Sequence, residues 1–125
     1  MTMNTETRAR QFAEEWIASW NNHDLEAILA HYADEVRFHS PFIVKLFNEP
    51  SGVIQGKETL RVYFQRGLQA YPELRFELLS VLSGVNSVVL HYRSVNHLLA
   101  AETMVFDERG KVREVRAHYA TVGQE

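Results

Sequence analysis

The sequence predicts an α+β fold in which the helices come first and the sheet follows. In the first half, apolar side chains recur every three or four residues, as they do on one face of a helix. The second half carries alternating apolar and polar residues, which is typical of strands. The 125 residues, of which 46% are hydrophobic, suit one domain with its own core. We therefore expect residues 1–125 to form a single α+β domain.

The first two elements are predicted to form a helical hairpin. The apolar face of the first helix holds Ala9, Phe12, Ala13, Trp16, Ile17 and Trp20. Residues 21–23 end this pattern, and Asp24 is expected to cap a second helix. The apolar face of that helix holds Leu25, Ile28, Leu29 and Tyr32. Because the link between the two helices is short, they should run antiparallel.

A short strand, a loop and a third helix are predicted next. The strand covers residues 36–40. Residues 42–55 are rich in turn-forming Asn, Pro, Ser and Gly, and they are expected to form a mobile loop or a loose hairpin beside a cavity. The third helix should begin at Gly56 and end at Tyr71, because Pro72 disfavours helical geometry in the residue before it.

The second half is predicted to form an antiparallel meander. Its four β-rich runs cover residues 74–83, 87–94, 98–107 and 111–122. Each pair of runs is separated by a short segment that contains Gly, Asn or Asp, which favours tight turns. Consecutive strands joined by tight turns pair with one another.

Glu102 is the most informative residue of the chain. Side chains alternate between the two faces of a strand, so Glu102 shares its face with Leu98, Ala100, Met104 and Phe106. A carboxylate among hydrocarbon must find a partner, take up a proton or lie in a solvated pocket. Two interpretations stay open: an ion pair with Arg93, Arg116 or a histidine, or an acid that faces a pocket. The apolar face favours the pocket.

Composition and motifs exclude several classes of protein. The net charge of −3 is scattered and forms no basic stripe, so nucleic acid is not an expected partner. Without cysteine there are no disulfides and no thiolate chemistry. Residues 1–10 are polar and no segment has the length of a membrane span, so we expect no membrane contact and a cytoplasmic location. No phosphate-binding loop, dinucleotide motif or nucleophile elbow is present.

Four segments, residues 16–27, 32–41, 56–58 and 106–112, occur in an order and spacing that resembles one known superfamily. It is the nuclear transport factor 2-like superfamily, in particular its SnoaL-like and ketosteroid isomerase-like branch. The resemblance implies a cone-shaped fold, in which a curved antiparallel sheet wraps around the helical hairpin and the third helix. It does not imply one reaction, because this cone carries isomerases, polyketide cyclases, dehydratases and epoxide hydrolases, as well as members without known activity.

The resemblance also implies roles for three positions. Ser40 stands where the ketosteroid isomerases have their general-base aspartate, and a serine without an adjacent base cannot remove a carbon-bound proton near neutral pH. Glu102 matches a carboxyl group that those enzymes keep protonated to donate a hydrogen bond. Trp16 matches their oxyanion tyrosine, and its indole N–H can donate one hydrogen bond but cannot exchange a proton.

We therefore expect the cone to bind a small, mostly apolar, cyclic molecule. Glu102 is the predicted acid or base, and Ser40 and Tyr119 are the predicted hydrogen-bond donors. The predicted ligand contacts are Trp16, Trp20, Tyr32, Phe38, Tyr63, Phe64, Met104, Val115 and Ala117. We predict no metal and no cofactor, since the six histidines show no ligand spacing. Two functions stay open: a cofactor-free isomerase, cyclase or dehydratase, and a non-catalytic ligand-binding or dimerisation module.

The outer sheet face is expected to form a homodimer. Leu99, Ala101, Thr103 and Val105 oppose the cavity face and are mostly apolar, which is unusual for a sheet face that meets water. The same alternation places the side chains of Arg37, His39, Arg116 and His118 on this convex surface. A one-residue bulge would bring His39 or His118 into the cavity instead.

Overall fold

In a computed structural model, residues 5–121 are described, and they form four α-helices and one six-stranded sheet. The helices are α1 (Thr5–Asn21), α2 (Leu25–Leu29), α3 (Pro41–Phe47) and α4 (Lys57–Ala70). The strands are β1 (Tyr32–His39), β2 (Val53–Gln55), β3 (Glu77–Gly84), β4 (Ser87–Arg93), β5 (Leu98–Phe106) and β6 (Val112–Thr121). The predicted α+β class is confirmed, and the sheet is curved and unclosed, as in the cone fold.

The sheet has the strand order β2-β1-β6-β5-β4-β3. Strands β3 to β6 form the predicted antiparallel meander. In contrast, β1 runs parallel to β6 and antiparallel to the short edge strand β2. The expectation of a wholly antiparallel sheet is wrong at this one pair. A tight turn dictates an antiparallel pair, but β1 and β6 are joined by the rest of the domain, so no turn sets their relative direction.

The helical hairpin forms as predicted, with one correction. The α1 face is buried, and Asp24 caps α2 by accepting a hydrogen bond from the Ala27 N–H at 3.1 Å. Tyr32, which was predicted to lie on the second helix, is instead the first residue of β1. The Val112 N–H donates to the His31 carbonyl at 2.8 Å, so the chain already pairs with β6 at this point. The spacing of Tyr32 from Leu25, Ile28 and Leu29 fits the apolar face of a helix, but an apolar residue at this place fits an inward-facing position of a strand equally well.

Residues 41–47 form a helix, so the prediction of a loop or loose hairpin over residues 42–55 is wrong there. Ser40 is the N-cap of α3 and accepts from the Phe42 N–H at 3.2 Å, while Pro41 occupies the first turn. Ser followed by Pro is a helix-start signal. Asn48 ends α3 in a left-handed conformation with φ 55°. The turn-forming residues that favoured a loop come only after this cap.

The core lies between the concave face of the sheet and the helices α1 and α4. Its largest fully buried side chains include Trp16, Tyr32, Tyr92, Leu60 and Met104. Among residues 5–121, no helix is long and apolar enough to cross a membrane, and the cytoplasmic location stays a prediction. The last predicted strand residue, Val122, lies outside the described residues.

Asn21 ties the end of α1 to the start of the meander. Its side-chain amide donates to the Phe76 carbonyl at 3.0 Å, and its side-chain oxygen accepts from the Phe76 N–H at 2.7 Å. One residue therefore satisfies both backbone groups of Phe76, immediately before β3 begins. Phe76 is buried, so water is a poor substitute for these bonds.

We expect Asn21→Ala to lower the free energy of unfolding by about 2 kcal/mol, because two hydrogen bonds to a buried backbone are lost together. Asn22→Ala is the matched control, because Asn22 is exposed, and it should stay within about 0.5 kcal/mol of the native protein. Urea unfolding of both variants measures the difference. Equal stabilities for the two variants would contradict this role of Asn21.

Candidate functional site

A cavity opens between the concave sheet face and the helices α1, α3 and α4. Most of its lining is aromatic: Trp16, Trp20, Phe38, Phe42, Tyr63, Phe64, Tyr71, Phe76, Tyr92 and Tyr119. The cavity has a volume of about 70 Å³. It is therefore narrow, and the molecule it suits is small.

Glu102 is buried in the wall of this cavity, as the strand alternation predicts. Its side chain is 3% exposed. The Tyr92 hydroxyl donates to Glu102 Oε2, whereas Glu102 Oε1 has no partner among the described residues. The ion-pair interpretation is wrong: Arg93 contacts Glu77 at 3.5 Å, Arg116 contacts Glu114 at 3.3 Å, and no histidine among residues 5–121 pairs with Glu102.

Burial raises the pKa of Glu102 to about 7, and the hydrogen bond from Tyr92 opposes this shift only in part. The carboxyl group is thus close to half ionised at neutral pH. Such a group can give a proton and take one back with little cost in either direction. This is the electrostatic property that distinguishes Glu102 from an ordinary surface glutamate.

Several buried hydroxyl groups lie near Glu102. Burial raises the pKa of Tyr92 and of Tyr119 well above the ordinary value, and the Ser40 and Tyr92 hydroxyls lie close enough to Tyr119 to oppose part of its shift. The Ser40 hydroxyl likewise lies close enough to Tyr63 to lower its pKa, which burial raises. Tyr119 and Tyr63 line the cavity, whereas Ser40 lies behind them as the cap of α3. The structure therefore places Ser40 in a supporting position.

The Trp16 indole N–H has a protein partner. It donates to the Tyr32 hydroxyl at 2.9 Å, and both side chains are fully buried. The donor that the resemblance placed at the oxyanion position is therefore already engaged. Trp16 still contributes its ring to the cavity wall.

Seven of the twelve predicted site residues line the cavity: Trp16, Trp20, Phe38, Tyr63, Phe64, Glu102 and Tyr119. The other five are buried but do not line the cavity: Ser40, Tyr32, Met104, Val115 and Ala117. These five belong to the core or to the support of the site.

Sequence reasoning missed Tyr92, the hydrogen-bond partner of Glu102. A signal was present, because Val88, Leu90 and Tyr92 alternate in β4 and all three are buried on the inner face. Pairing across the β4–β5 turn sets Leu90 opposite Glu102 and Tyr92 opposite Ala100, on the same face. Phe42 was missed for another reason: its position at the cavity depends on α3, which was predicted as a loop.

The two histidines face outward, as predicted. His39 Nδ1 hydrogen-bonds the Val115 carbonyl at 2.9 Å, and His118 Nδ1 lies 3.3 Å from the Ala101 carbonyl. Both border a shallow groove on the convex side, with Arg116 between them in the sheet. Within the described part of the chain, no three acidic or histidine side chains are grouped as a metal site.

A curved sheet around a cavity is the architecture of the cone-shaped α+β domains, and this protein has it. Its cavity is lined by aromatic rings and by one buried acid. Residues 13–123 match the family model of the SnoaL-like domain, so the chain belongs to the SnoaL-like family. The predicted resemblance is confirmed. No curated protein is significantly similar to the chain.

Solved structures show the same fold. A SnoaL-like protein of unknown function from Burkholderia thailandensis is 46% identical, with a TM-score of 0.89 over 93% of this chain and 97% of that one. A provisionally assigned isomerase of the SnoaL-like family from Agrobacterium tumefaciens is 16% identical, with a TM-score of 0.73 over 91% and 98% of the two chains. A provisionally assigned ketosteroid isomerase from Kribbella flavida is 17% identical, with a TM-score of 0.73 over 99% and 86%. The last two show the fold alone.

We expect Glu102→Gln to gain stability relative to the native protein as the pH rises from 4.5 to 8. The pKa of Glu102 is about 7 in the folded protein, against an ordinary value of 4.5. Between these values the unfolded chain loses a proton that the folded protein keeps, so native stability falls with rising pH. Glutamine does not titrate, and the relative gain should be on the order of 3 kcal/mol.

Urea unfolding at several pH values checks this prediction. Glu108→Gln, at an exposed position in the β5–β6 turn, is the control and should show no comparable change with pH. A loss of stability in Glu102→Gln that is the same at pH 4.5 and pH 8 would show that Glu102 carries no penalty for its charge.

Proposed function

We propose that this protein binds a small, mostly apolar ring molecule in the cone cavity and that Glu102 acts on it as an acid and a base. The observation that carries this proposal is a buried carboxyl group with one free oxygen in a wall of aromatic rings. Rings supply contact area, and the free oxygen supplies orientation and chemistry. A pKa of about 7 for Glu102 makes both of its protonation states available.

Isomerisation is the reaction that this site supports best. In a carbonyl compound, the shift of a carbon–carbon double bond to a neighbouring position requires one group that removes a proton from one carbon and returns it to another. A single carboxyl group can do both steps. Cyclisation and dehydration need an acid and a base at separate positions, and the other ionisable groups in the lining are tyrosines. The provisional isomerase assignments of two structural neighbours agree with this choice.

Proton exchange tests catalysis without knowledge of the substrate. Small cyclic ketones in deuterated water should exchange their α-hydrogens faster with the protein than in buffer alone, as followed by NMR. Glu102→Gln should reduce the catalysed rate about 100-fold or more, the usual contribution of a general acid or base. Binding of the same ketones without any catalysed exchange would favour the non-catalytic ligand-binding module.

We expect Tyr119→Leu to weaken binding of a cyclic ligand about tenfold, because it removes a ring face and a hydroxyl from the cavity wall. Ser40→Ala should leave the affinity nearly unchanged, since Ser40 does not line the cavity. Its loss of about 1 kcal/mol in stability, from the lost cap of α3, is measured separately. Titration calorimetry compares the affinities. Equal affinity in all three proteins would place the ligand elsewhere.

A second copy of the chain is the proposed partner for the convex sheet face. Leu82, Val89, Thr103 and Arg116 pair in one row across four strands on this face. Leu82 is 55% exposed, and Leu79 is exposed as well. Leu82 and Val89 make one end of this row apolar, and apolar side chains exposed on an open sheet face are typical of an interface.

We expect the native protein to be a dimer at micromolar concentration in light scattering. Val89→Lys, in the middle of the row, should give a monomer because it buries a charge in the interface. Val85→Lys is the control: Val85 is 89% exposed in the β3–β4 turn, outside the row, and its replacement should leave the dimer intact. A monomeric native protein would reject this interface.

A further inference from the structure

The two tryptophans of this chain differ in one respect that the proposed function does not use. They lie one turn apart on α1, and both line the cavity. Trp16 donates its indole N–H to Tyr32, whereas Trp20 Nε1 has no acceptor within residues 5–121. Trp20 is only 7% exposed, so this N–H is also cut off from solvent. A buried indole N–H usually finds an acceptor, and an unpaired one is costly.

The surroundings of Trp20 explain why the protein supplies no acceptor. Its ring packs against Phe64 at a centroid distance of 4.8 Å, against Phe76 at 5.5 Å and against Trp16 at 6.1 Å. The packed neighbours are themselves rings. An acceptor for Trp20 must therefore come from a molecule in the cavity or from the π-face of a neighbouring ring.

Two residues of the cavity lining, on different walls, thus each carry a buried polar atom without a partner among residues 5–121. Trp20 Nε1 belongs to α1 and Glu102 Oε1 belongs to β5. Phe76 and Tyr92 connect the two groups: Phe76 lies 5.5 Å from the Trp20 ring and 4.8 Å from the Tyr92 ring, and Tyr92 donates to Glu102. A ligand that reaches both atoms has one polar group at each end and a flat apolar body against the rings between them.

The charges of the lining restrict the ligand further. Among residues 5–121, the lining contains one carboxyl group and no Lys, Arg or His. A carboxylate or phosphate ligand would therefore be buried without a counter-charge and next to Glu102, which is unfavourable. An ammonium group cannot serve at Trp20, because the indole N–H is a donor and requires a lone pair. A neutral oxygen satisfies this position.

We propose that the Trp20 indole N–H is a second polar subsite and that the cavity selects an uncharged ring compound with two oxygen functions. One oxygen accepts a hydrogen bond from the Trp20 indole N–H. The other, a hydroxyl or carbonyl oxygen, forms a hydrogen bond with the Glu102 carboxyl group. This inference rests on the proposed function, since it requires that the cavity binds a ligand. It adds a specificity-determining residue and a ligand class to that function.

A matched set of small probes tests the proposal. Phenol carries one oxygen, and catechol, resorcinol and hydroquinone each carry a second oxygen at a different spacing. At least one of the three diols should bind the native protein about three- to tenfold more tightly than phenol, the gain of one net hydrogen bond. The anion 4-hydroxybenzoate should bind more weakly than hydroquinone. Titration calorimetry supplies the dissociation constants.

Two variants assign the gain to Trp20. Trp20→Phe keeps a ring and removes the N–H, so it should abolish the preference for the diol over phenol. Phe12→Leu is the control, because Phe12 lies on the same helix but outside the cavity lining, and it should retain the preference. The measured quantity is a ratio of two affinities in the same variant, so a general loss of stability does not affect it.

The native protein gives a measurement that needs no variant. In a ¹⁵N–¹H NMR spectrum, the preferred diol should shift the Trp20 indole N–H resonance by much more than phenol does. A diol preference that survives Trp20→Phe, or the lack of any diol preference, overturns the subsite. If neither phenol nor any diol binds, the proposed ligand-binding function fails, and this inference fails with it.

Discussion

The burial of one carboxyl group without a cationic partner is the constraint on which the site depends. Glu102 sits 3% exposed on the inner face of β5, and the nearby arginines pair elsewhere with Glu77 and Glu114. Removing an ion from water without a counter-ion is costly, so the pKa rises until the neutral acid becomes accessible at pH 7. The Tyr92 hydroxyl limits this rise because it donates to Glu102. A cationic partner would have held the carboxyl group in its ionised form and removed the acid chemistry.

The rest of the fold holds an open space in front of this group. The sheet curves around α1 and α4, and their rings would close into an ordinary core if the sheet covered them fully. Asn21 fixes the end of α1 to the backbone of Phe76, and α3 places Phe42 over Tyr119 at a centroid distance of 4.8 Å. Cavity walls and core are therefore the same side chains, which explains why an aromatic stripe such as Trp16 and Trp20 serves both purposes.

Much of the fold could be predicted because it follows from local rules. The periodicity of α1, the proline after α4 and the tight turns of the meander depend on residues close together in sequence. The helix α3 was missed because turn-forming residues near Asn48 outweighed the Ser40–Pro41 start signal. The parallel pairing of β1 with β6 could not be predicted from turns at all, since these strands come from opposite ends of the chain.

The sequence by itself favoured an inward direction for Glu102 and an outward direction for His39 and His118, because alternation along a strand is a property of the backbone, but it left open a bulge that would reverse the histidines. Only the tertiary structure decided that the partner of the Glu102 carboxyl group is the Tyr92 hydroxyl, which donates a hydrogen bond to it, and not an arginine. It also decided that Trp16 has an acceptor in Tyr32 while Trp20, one turn later, has none in the described part of the chain. The physical reason is that a hydrogen bond or ion pair is settled by distances of a few tenths of an ångström between elements far apart in the chain, and no residue pattern encodes those distances.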